Sequence, residues 1–333
     1  IRDSFTSTPS MTLPPGYGRS SRNAGSPAFE VVLKRGSSVE SIHRVHAVVC
    51  DSKGRILMKA GRPDYETFVR SALKPFQALP ALSSGASGSY DFGDRGLAIS
   101  CASHAGTAEH AREAFRLLWN AQLETDSLQC PIPAWGHSPL EHNCSGKHAS
   151  FLATSRKMGW PLESYLQGDH PLQQEINRRV GEFLGLPAEE LVAERDDCGA
   201  PTLLLQLSQM ALLYAHLGSS THAELEQISR AMLAHPKLVA GEGRFDTELM
   251  SRSHKQVISK GGAEGIQCLS RTGDGLGVAI KVEDGSRRAK QAVALHLLRQ
   301  LDWITQGSLD ELEDKMLIIG PGVRLEVKGE LRA

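Results

Sequence analysis

The order of strand-like and helix-like segments is what most limits the folds open to this chain. Short β-branched segments bounded by turn residues lie at 29–36 and 43–51, and four more candidate strands follow in the C-terminal third. The middle is mainly helical, as at 107–123 and 170–185, where apolar residues recur along one helical face. Because strands and helices do not alternate cleanly, the pattern predicts an α/β (α+β) domain. Strands from both ends of the chain would share one sheet, and we do not expect a doubly wound parallel sheet.

Three internal segments have patterns that predict a particular element. Residues 95–106 form a short apolar run that ends in small residues, which indicates a buried strand and a loop. Residues 200–218 are apolar nearly all round, which is typical of a core helix. In the helical segment 221–236, Thr221 and Glu224 have capping-box spacing, so we expect that helix to begin there.

The charge of the chain is balanced. Its 37 basic and 38 acidic residues leave a formal net charge of −1, so it has no long-range attraction to phosphates or anionic lipids. No apolar run approaches the roughly 18–20 residues that cross a bilayer. We therefore expect a soluble globular protein whose partners include neither nucleic acid nor a membrane.

The N-terminal segment differs in composition from the rest. Residues 1–28 are rich in Ser, Pro, Gly and Thr and hold too few apolar side chains to offset the entropy of ordering them. We predict a flexible tail at 1–28 and one folded domain at 29–333. The six cysteines are widely spaced, which favours reduced thiols. Because no signal-peptide pattern is visible either, we expect a cytoplasmic location.

A serine and a lysine three residues apart, Ser71 and Lys74, lie just before Pro75 in the stretch RSALKP. Residues at this spacing share one face of a helix, with about 5–6 Å between their Cβ atoms. A serine hydroxyl needs a base within hydrogen-bond reach to act as a nucleophile, and a lysine with a lowered pKa can serve. The same spacing also fits the polar first turn of a buried helix, since so short a motif often occurs by chance.

Two other stretches could present polar groups to a ligand. Ser103 lies in SCASHAG after an apolar run, and Lys260 lies in SKGGAEG on a predicted strand. Loops beside buried elements commonly carry functional groups, and glycines on a strand let a ligand approach the backbone. By itself, each stretch is equally typical of an ordinary connection.

Reactive side chains also crowd two loops, HNCSGKH at 142–148 and RDDCGAP at 195–201. Zinc prefers nitrogen and sulfur ligands, so Cys144 and Cys198 could share a metal ion with a further residue of these loops. The acidic pair Asp196 and Asp197 could instead bind a substrate ammonium. Both loops also have the composition of helix N-termini, where Asp is a common cap.

The order of these motifs is more specific than any one of them. A Ser-x-x-Lys helix early in the chain and a lysine-glycine strand late in it match the serine β-lactamases and penicillin-binding enzymes. From about residue 29 onwards, eight blocks in order resemble the asparaginase II family, the rhizobial-type or class 3 L-asparaginases. The blocks are GRPDYETFVRSALKPFQALP, SCASHAG, HNCSGKHASFL, HPLQ, RDDCGAPT, HPKLVAGEGRFDTELM, KGGAEG and GLGVAIKVEDGSRRA.

The resemblance implies a fold related to serine β-lactamases and glutaminases, assembly as a homodimer, and hydrolysis of L-asparagine to L-aspartate and ammonia. By motif matching it implies two Ser-Lys pairs, Ser71 with Lys74 and Ser103 with Lys260. It implies a zinc ion held by Cys144, Lys147 and Cys198. It also implies that four residues of the matching blocks contact the substrate: Arg70, His104, Asp196 and Gly261.

One position departs from the rhizobial pattern. Those enzymes have a further cysteine in the substrate pocket, whereas this chain has Asp246 in GRFDTELM. The departure leaves the side-chain preference of the site open. A lysine ligates zinc only when neutral, so His142 and His148 are rival ligands.

Two other functions stay open from the residues alone. One is a zinc hydrolase, in which the metal holds the attacking water and Ser71 only binds substrate. The other is an amino-acid-binding protein without catalytic activity on the same scaffold.

Overall fold

The computed structural model describes residues 26–333. Most of the predicted tail, residues 1–28, therefore lies outside the described residues. Ser26 is held against the edge of the fold, because its Oγ donates to the carbonyl oxygen of Lys59 at 3.0 Å. The carbonyl oxygen of Ser26 in turn accepts from the backbone N–H of Gly61.

The strands form one large and one small sheet. The large sheet has the order β10-β11-β1-β2-β9-β8-β7 with β3 paired to β2, and the small sheet has the order β4-β6-β5. Neighbouring strands run antiparallel. In chain order the strands are β1 (Phe29–Arg35), β2 (Ser38–Asp51), β3 (Ile56–Ala60), β4 (Glu66–Phe68), β5 (Val192–Arg195), β6 (Pro201–Gln206), β7 (Val257–Gly262), β8 (Ile266–Arg271), β9 (Leu276–Val282), β10 (Ile318–Gly320) and β11 (Val323–Lys328).

Most helices lie between the two groups of strands in the sequence, as predicted. They are α1 (Lys74–Gln77), α2 (Leu79–Ser83), α3 (Ala86–Ser89), α4 (Gly93–Ser100), α5 (Ala108–Asn120), α6 (Ser145–Met158), α7 (Pro171–Leu184), α8 (Leu207–Gly218), α9 (Ala223–Ala234), α10 (Pro236–Val239), α11 (Phe245–Arg252), α12 (Arg287–Leu301) and α13 (Gln306–Met316). The α/β architecture with a sheet shared by both ends of the chain is confirmed. No helix among residues 26–333 is both long enough and apolar enough to cross a membrane.

Side chains of the large sheet alternate between two cores. On β2, Val48 and Cys50 belong to the core that holds the central helices, whereas Ala47 and Val49 belong to the core beneath α12. A strand buried on both faces needs apolar residues at successive positions, which explains the unbroken run at 47–50. The sheet is therefore the middle layer of the fold, and it fixes the position of β7 relative to the central helices.

The prediction of a strand at 95–106 is wrong, because Gly93–Ser100 forms helix α4. A short apolar run does not distinguish a buried strand from a buried helix. Here the run packs among helices, and Gly96 lets Leu117 of α5 approach, since a Cβ at Gly96 would lie 2.9 Å from Leu117 Cδ2. Ser103 consequently follows the end of a helix instead of a strand.

Two other segments begin differently from their predictions. Residues 201–206 of the predicted helix 200–218 form β6, which pairs with β4 and β5, and the helix itself begins at Leu207. Helix α9 begins at Ala223, and its N-terminus has no side-chain cap. The predicted capping box does not form, because His222 is the N-cap and Thr221 lies outside the helix, where its Oγ1 is 2.7 Å from Ser219 Oγ.

Candidate active site

Ser71, the predicted nucleophile, lies in a 3-10 turn, Arg70–Leu73, that leads directly into α1. Arg70 occupies the left-handed region with a φ of 52°, which is unfavourable for a non-glycine residue unless contacts hold it. Such a contact exists, because the N–H of Arg70 donates to Thr202 Oγ1 at 2.9 Å. Pro75 lies in the first turn of α1, where its missing N–H is tolerated.

Two buried lysines converge on Ser103 instead of Ser71. Lys74 Nζ and Lys260 Nζ each donate to the hydroxyl of Ser103 at 2.9 Å. Each also donates to one backbone carbonyl oxygen at 2.6 Å. The predicted Ser103–Lys260 pair is thus joined by a hydrogen bond. Within residues 26–333, the Ser71 side chain has no hydrogen-bond partner and lines a cavity.

Lys260 has the electrostatic properties of a base. Burial and, next, the positive charge of Lys74 lower the pKa of Lys260 to about 7, against the opposing effect of Asp246. At neutral pH a substantial fraction of this amine is therefore neutral, and a neutral amine can accept a proton. Because Lys260 is hydrogen-bonded to Ser103, it can exchange a proton with that hydroxyl without rearrangement.

Asp246 holds the strand that carries Lys260. Its carboxylate accepts from Ser259 Oγ at 2.7 Å and from the N–H of Gly261 at 2.9 Å, on either side of Lys260. It also accepts from Gln267 Nε2 at 2.9 Å. The pKa of Asp246 is lowered, since Lys260 and these hydrogen bonds outweigh its burial. The aspartate that replaces the cysteine of the rhizobial pattern is therefore a buried, charged support for β7.

The predicted substrate residues Arg70 and Asp196 are bound to one another. Arg70 Nε donates to Asp196 Oδ1 at 2.8 Å, and Arg70 Nη2 donates to Asp197 Oδ2 at 2.7 Å. This double ion pair joins the turn of Ser71 to the loop of Cys198. The guanidinium of Arg70 is thus already neutralised by two carboxylates.

A cavity of about 670 Å³ contains Ser71, Ser103 and Gly261 in its wall. This volume lies within the usual range for small-molecule sites. Its wall is strongly polar and includes Asn143, Arg244, Asp246, Glu264, Gln267, Arg287 and Lys290. Of the four predicted substrate residues, Gly261 alone belongs to the wall, and Arg70, His104 and Asp196 do not.

His104 lies behind Ser103 in the protein interior. Its Nε2 is 2.9 Å from Ser145 Oγ, and its Nδ1 accepts from the N–H of Gly106 at 3.0 Å. The ring also stacks on His110 with 4.8 Å between centroids. Both ring nitrogens are therefore engaged within the protein, and the contacts of His104 are those of a residue that fixes the loop after α4.

The predicted zinc ligands lie together at the start of α6 and in the loop before β6. Lys147 Nζ donates to Cys198 Sγ at 3.2 Å, and both side chains are buried, as is that of Cys144. A hydrogen bond with Cys144 and the charge of Lys147 lower the pKa of Cys198 despite its burial. The pKa of the Cys144 thiol is raised by the same hydrogen bond and by burial. These interactions favour the thiolate form of Cys198 and disfavour ionisation of Cys144.

Gly146, between two of these residues, provides close packing and not flexibility. It belongs to α6, and a Cβ built on it would lie 2.1 Å from the carbonyl oxygen of Ile99 in α4. Because the atom at this short distance belongs to the backbone, it cannot rotate away as a side chain could. The glycine therefore sets how near the loop of Cys144 comes to the residues that follow α4.

We expect Gly146→Ala to lower the free energy of unfolding by about 1–3 kcal/mol, because the methyl group forces α4 and α6 apart. Denaturant unfolding at constant pH would measure the change. Gly307→Ala is the matched control, since Gly307 also lies in a helix but has nothing within 4 Å of its built Cβ. Equal stabilities for the two variants would contradict the packing argument.

Comparison with known protein families shows to which family this chain belongs. A family model of L-asparaginase II matches residues 31–333 of the 333-residue chain. The chain belongs to the L-asparaginase II family. Membership of the family supports an amidohydrolase activity. In a separate comparison, no curated protein matches this family member significantly.

Two solved structures show how far the similarity to known folds extends. The crystal structure of Mglu is 14% identical with a TM-score of 0.43, and the match covers 79% of this chain and 68% of Mglu. A crystal structure of Bacillus glutaminase is 13% identical with a TM-score of 0.37, and the match covers 78% of this chain and 91% of the glutaminase. Similarities this low transfer no residue roles to this L-asparaginase II family member.

The donor atoms of the cysteine-lysine cluster are of the kind that zinc accepts. Two thiols and one amine are nitrogen and sulfur ligands, and Lys147 and Cys198 are already in contact. Within residues 26–333, no three His, Cys, Asp or Glu side chains are placed to hold a metal ion. His148 stays a rival to Lys147 as a ligand, because its buried Nε2 has no hydrogen-bond partner among the described residues and the ring interacts with Cys198. Cys144, Lys147 and Cys198 fit a zinc ion in donor type, provided that Lys147 gives up its proton.

Several residues of the cavity wall were not predicted from the sequence. Gln267 lies opposite Gly261 across the β7–β8 pair, so the strand register brings it to the cavity. Lys290 is a buried lysine among the apolar residues of α12, and such a residue is a recognisable signal for a functional or polar contact. For Arg244, whose side chain is exposed, no comparable sequence signal exists.

Proposed function

We propose that this chain hydrolyses L-asparagine to L-aspartate and ammonia through an acyl-enzyme on Ser71. The observation that carries the proposal is the pair of lysine amines on Ser103, next to Ser71 in a single polar cavity. Two hydroxyls and two amines provide a nucleophile and a route for its proton, which are the requirements of amide cleavage by a serine.

In the proposed reaction, Ser71 Oγ attacks the side-chain amide carbon of asparagine. Its proton passes through the hydroxyl of Ser103 to the neutral amine of Lys260. Lys260 then returns the proton by the same route to the amide nitrogen, and the tetrahedral intermediate collapses with release of that nitrogen as ammonia. Water attacks the resulting ester, the relay again removes and returns one proton, and aspartate leaves with Ser71 restored.

The surroundings of the two serines support this division of roles. Ser71 is uncommitted and reaches the cavity, whereas Ser103 accepts hydrogen bonds from both lysines. The charge of Lys74 helps to keep Lys260 near its neutral form at pH 7. Backbone N–H groups around Ser71 are the candidates for stabilising the oxyanion.

We further propose a zinc ion on Cys144, Lys147 and Cys198. When bound, zinc would supply a fixed positive charge and a Lewis acid beside the Ser71 turn. The three residues do not belong to the cavity wall. The chain's own groups would therefore perform the proton transfers, and the cluster would hold the loop of Asp196 against α6.

The zinc proposal predicts that Cys198→Ser retains less than about a tenth of the zinc of the unchanged protein, because one of three ligands loses its thiolate. Metal content of the purified protein would be measured by mass spectrometry. Cys130→Ser is the matched control, since Cys130 is also a buried free cysteine and is outside the proposed ligand set. Undiminished zinc in Cys198→Ser would rule out this ligand set.

Assembly as a homodimer is a further proposal, supported by the family resemblance alone. Light scattering on the eluted protein would give twice the chain mass of 36.1 kDa if the proposal is correct. A mass equal to that of one chain at micromolar concentration would contradict it.

An ammonia-release assay on L-asparagine and L-glutamine, with zinc content measured on the same sample, tests the proposed function. We expect asparagine to be hydrolysed with the higher kcat/KM. Tight binding of asparagine without ammonia release would point to an amino-acid-binding protein. Complete loss of activity with a chelator, restored by zinc and without a trappable acyl-serine, would point to a zinc hydrolase.

A further inference from the structure

Two arginines provide positive charge in the wall of the cavity. Arg244 and Arg287 line the same cavity as Ser71 and Ser103. Within residues 26–333, neither guanidinium forms an ion pair with a carboxylate. Arg244 Nη1 donates to the backbone carbonyl oxygen of Ser103 at 3.2 Å, so this cation contacts the residue whose hydroxyl both lysines bind.

The two arginines also lie close to one another. Both side chains line one cavity, and desolvation followed by the charge of Arg287 lowers the pKa of Arg244 against the opposing effect of Asp246. Arg244 precedes α11 and Arg287 is the first residue of α12, so the N-terminal end of a helix dipole adds to the positive potential at each. Like charges held together in this way are stabilised by an anion between them.

The other cations around the cavity are already committed. Arg70, the cation next to Ser71, is bound to Asp196 and Asp197. Lys290 donates to the carbonyl oxygens of Gly262 and Ile266 at 2.7 and 2.8 Å. Arg244 and Arg287 are therefore the cations of the wall that are available to an anionic group of a ligand.

Among the described residues, the acidic side chains of the wall do not form ion pairs with these arginines either. Asp246 is engaged by three hydrogen bonds from Ser259, Gly261 and Gln267. Glu264 belongs to the wall but forms no ion pair with the described residues. An arginine needs a planar, doubly accepting partner for its strongest hydrogen bonds, and a carboxylate is such a partner.

We propose that Arg244 and Arg287 bind the α-carboxylate of the substrate and make the site specific for amides that carry one. The inference rests on the proposed hydrolysis of asparagine and names the recognition element of that site. With the side-chain amide carbon at Ser71, the α-carboxylate points towards the arginines. Simple amides without that carboxylate are then poor substrates.

Kinetics with a matched pair of substrates tests the assignment. L-Asparagine and β-alaninamide have the same amide and amine, and β-alaninamide lacks only the α-carboxylate. We expect Arg244→Met and Arg287→Met each to lower kcat/KM for asparagine by roughly 10- to 100-fold, as for the loss of a charge-assisted hydrogen bond. The value for β-alaninamide is expected to stay the same, because this substrate has no group for the arginines to bind.

Controls separate recognition from folding. Arg112→Met removes an exposed arginine of α5 outside the cavity and is expected to alter neither substrate's kinetics. Arg244→Lys, which keeps the charge, is expected to recover part of the loss. A fall of equal size for asparagine and β-alaninamide, or no fall for either, overturns the assignment.

Binding of the products decides the question even if the chain hydrolyses neither amide. L-Aspartate and β-alanine differ by the same α-carboxylate, and calorimetry gives both affinities. We expect aspartate to bind the unchanged protein at least 10-fold more tightly than β-alanine, and the double variant Arg244→Met/Arg287→Met to abolish the difference. Equal affinities for the two in the unchanged protein overturn the carboxylate site. Loss of turnover with this preference intact would count against the proposed reaction alone.

Discussion

Ser71→Ala is expected to abolish ammonia release from L-asparagine while leaving the fold intact. Removal of a catalytic serine lowers kcat by roughly 10³- to 10⁶-fold, since the covalent route is lost. The Ser71 hydroxyl has no hydrogen-bond partner among the described residues, so its removal leaves no buried group unsatisfied. Stopped-time ammonia assays and an unfolding curve on the same sample would measure activity and stability together.

Two further variants allow the activity of Ser71→Ala to be interpreted. Ser83→Ala removes an exposed serine of the neighbouring helix α2 and is expected to keep full activity. Ser103→Ala is expected to slow the reaction strongly while still allowing mass spectrometry to detect an acyl group on Ser71. Full activity in Ser71→Ala, or an acyl group on Ser103 in that variant, would assign the nucleophile to Ser103.

Lys260→Met is expected to lower kcat/KM for asparagine by about 10²- to 10⁴-fold, the usual contribution of a positioned base. Lys260 is fully buried, and its amine bonds Ser103 at 2.9 Å. Methionine has a similar shape and cannot accept a proton. Activity near that of the unchanged protein would exclude Lys260 as the base.

The pH profile gives a second, independent test of Lys260. Its pKa is lowered to about 7, first by burial and next by Lys74. If the neutral amine is the active form, kcat/KM rises with pH through about 7 and levels off above it. A profile that is flat between pH 6 and about 8 would contradict this role.

Two neighbours should shift that profile in opposite directions. Lys74→Met removes a charge that lowers the pKa of Lys260, so the rise in activity moves to higher pH. Asp246→Asn removes a charge that raises the same pKa, so the rise moves to lower pH. Shifts of the same sign in both variants would show that the electrostatic account of Lys260 is wrong.

Helices and strands were predictable from the sequence where apolar residues recur with a clear period over a long segment. The helix predicted at 107–123 is α5, which begins after Thr107, whose side chain accepts from the N–H of His110. The alternating and continuous strand patterns at both ends gave a shared sheet because each strand must bury its apolar face. The prediction of a strand at 95–106 failed, because a short segment buried among helices and one buried in a sheet both require apolar residues.

For the site, the sequence by itself determined which chemical groups are present and, through the order of the motifs, the family. Tertiary structure decided how those groups pair. The i,i+3 spacing placed Ser71 and Lys74 near one another on one turn, yet Lys74 donates to Ser103, 29 positions further along the chain. A long lysine side chain reaches the buried acceptors around it, and for Lys74 the loop after α4 supplies both of them, the Ala102 carbonyl oxygen and the Ser103 hydroxyl.

The same reason explains Arg70 and Arg244. The family resemblance implied that Arg70 contacts the substrate, but the fold brings Asp196 and Asp197 to neutralise it. No sequence motif singled out Arg244, and the fold places it beside Ser103 with no ion pair to a carboxylate of residues 26–333. The sequence determines which side chains are charged. Whether such a charge is available to a ligand depends on the opposite charges that the fold brings close to it, and these lie far away in the sequence.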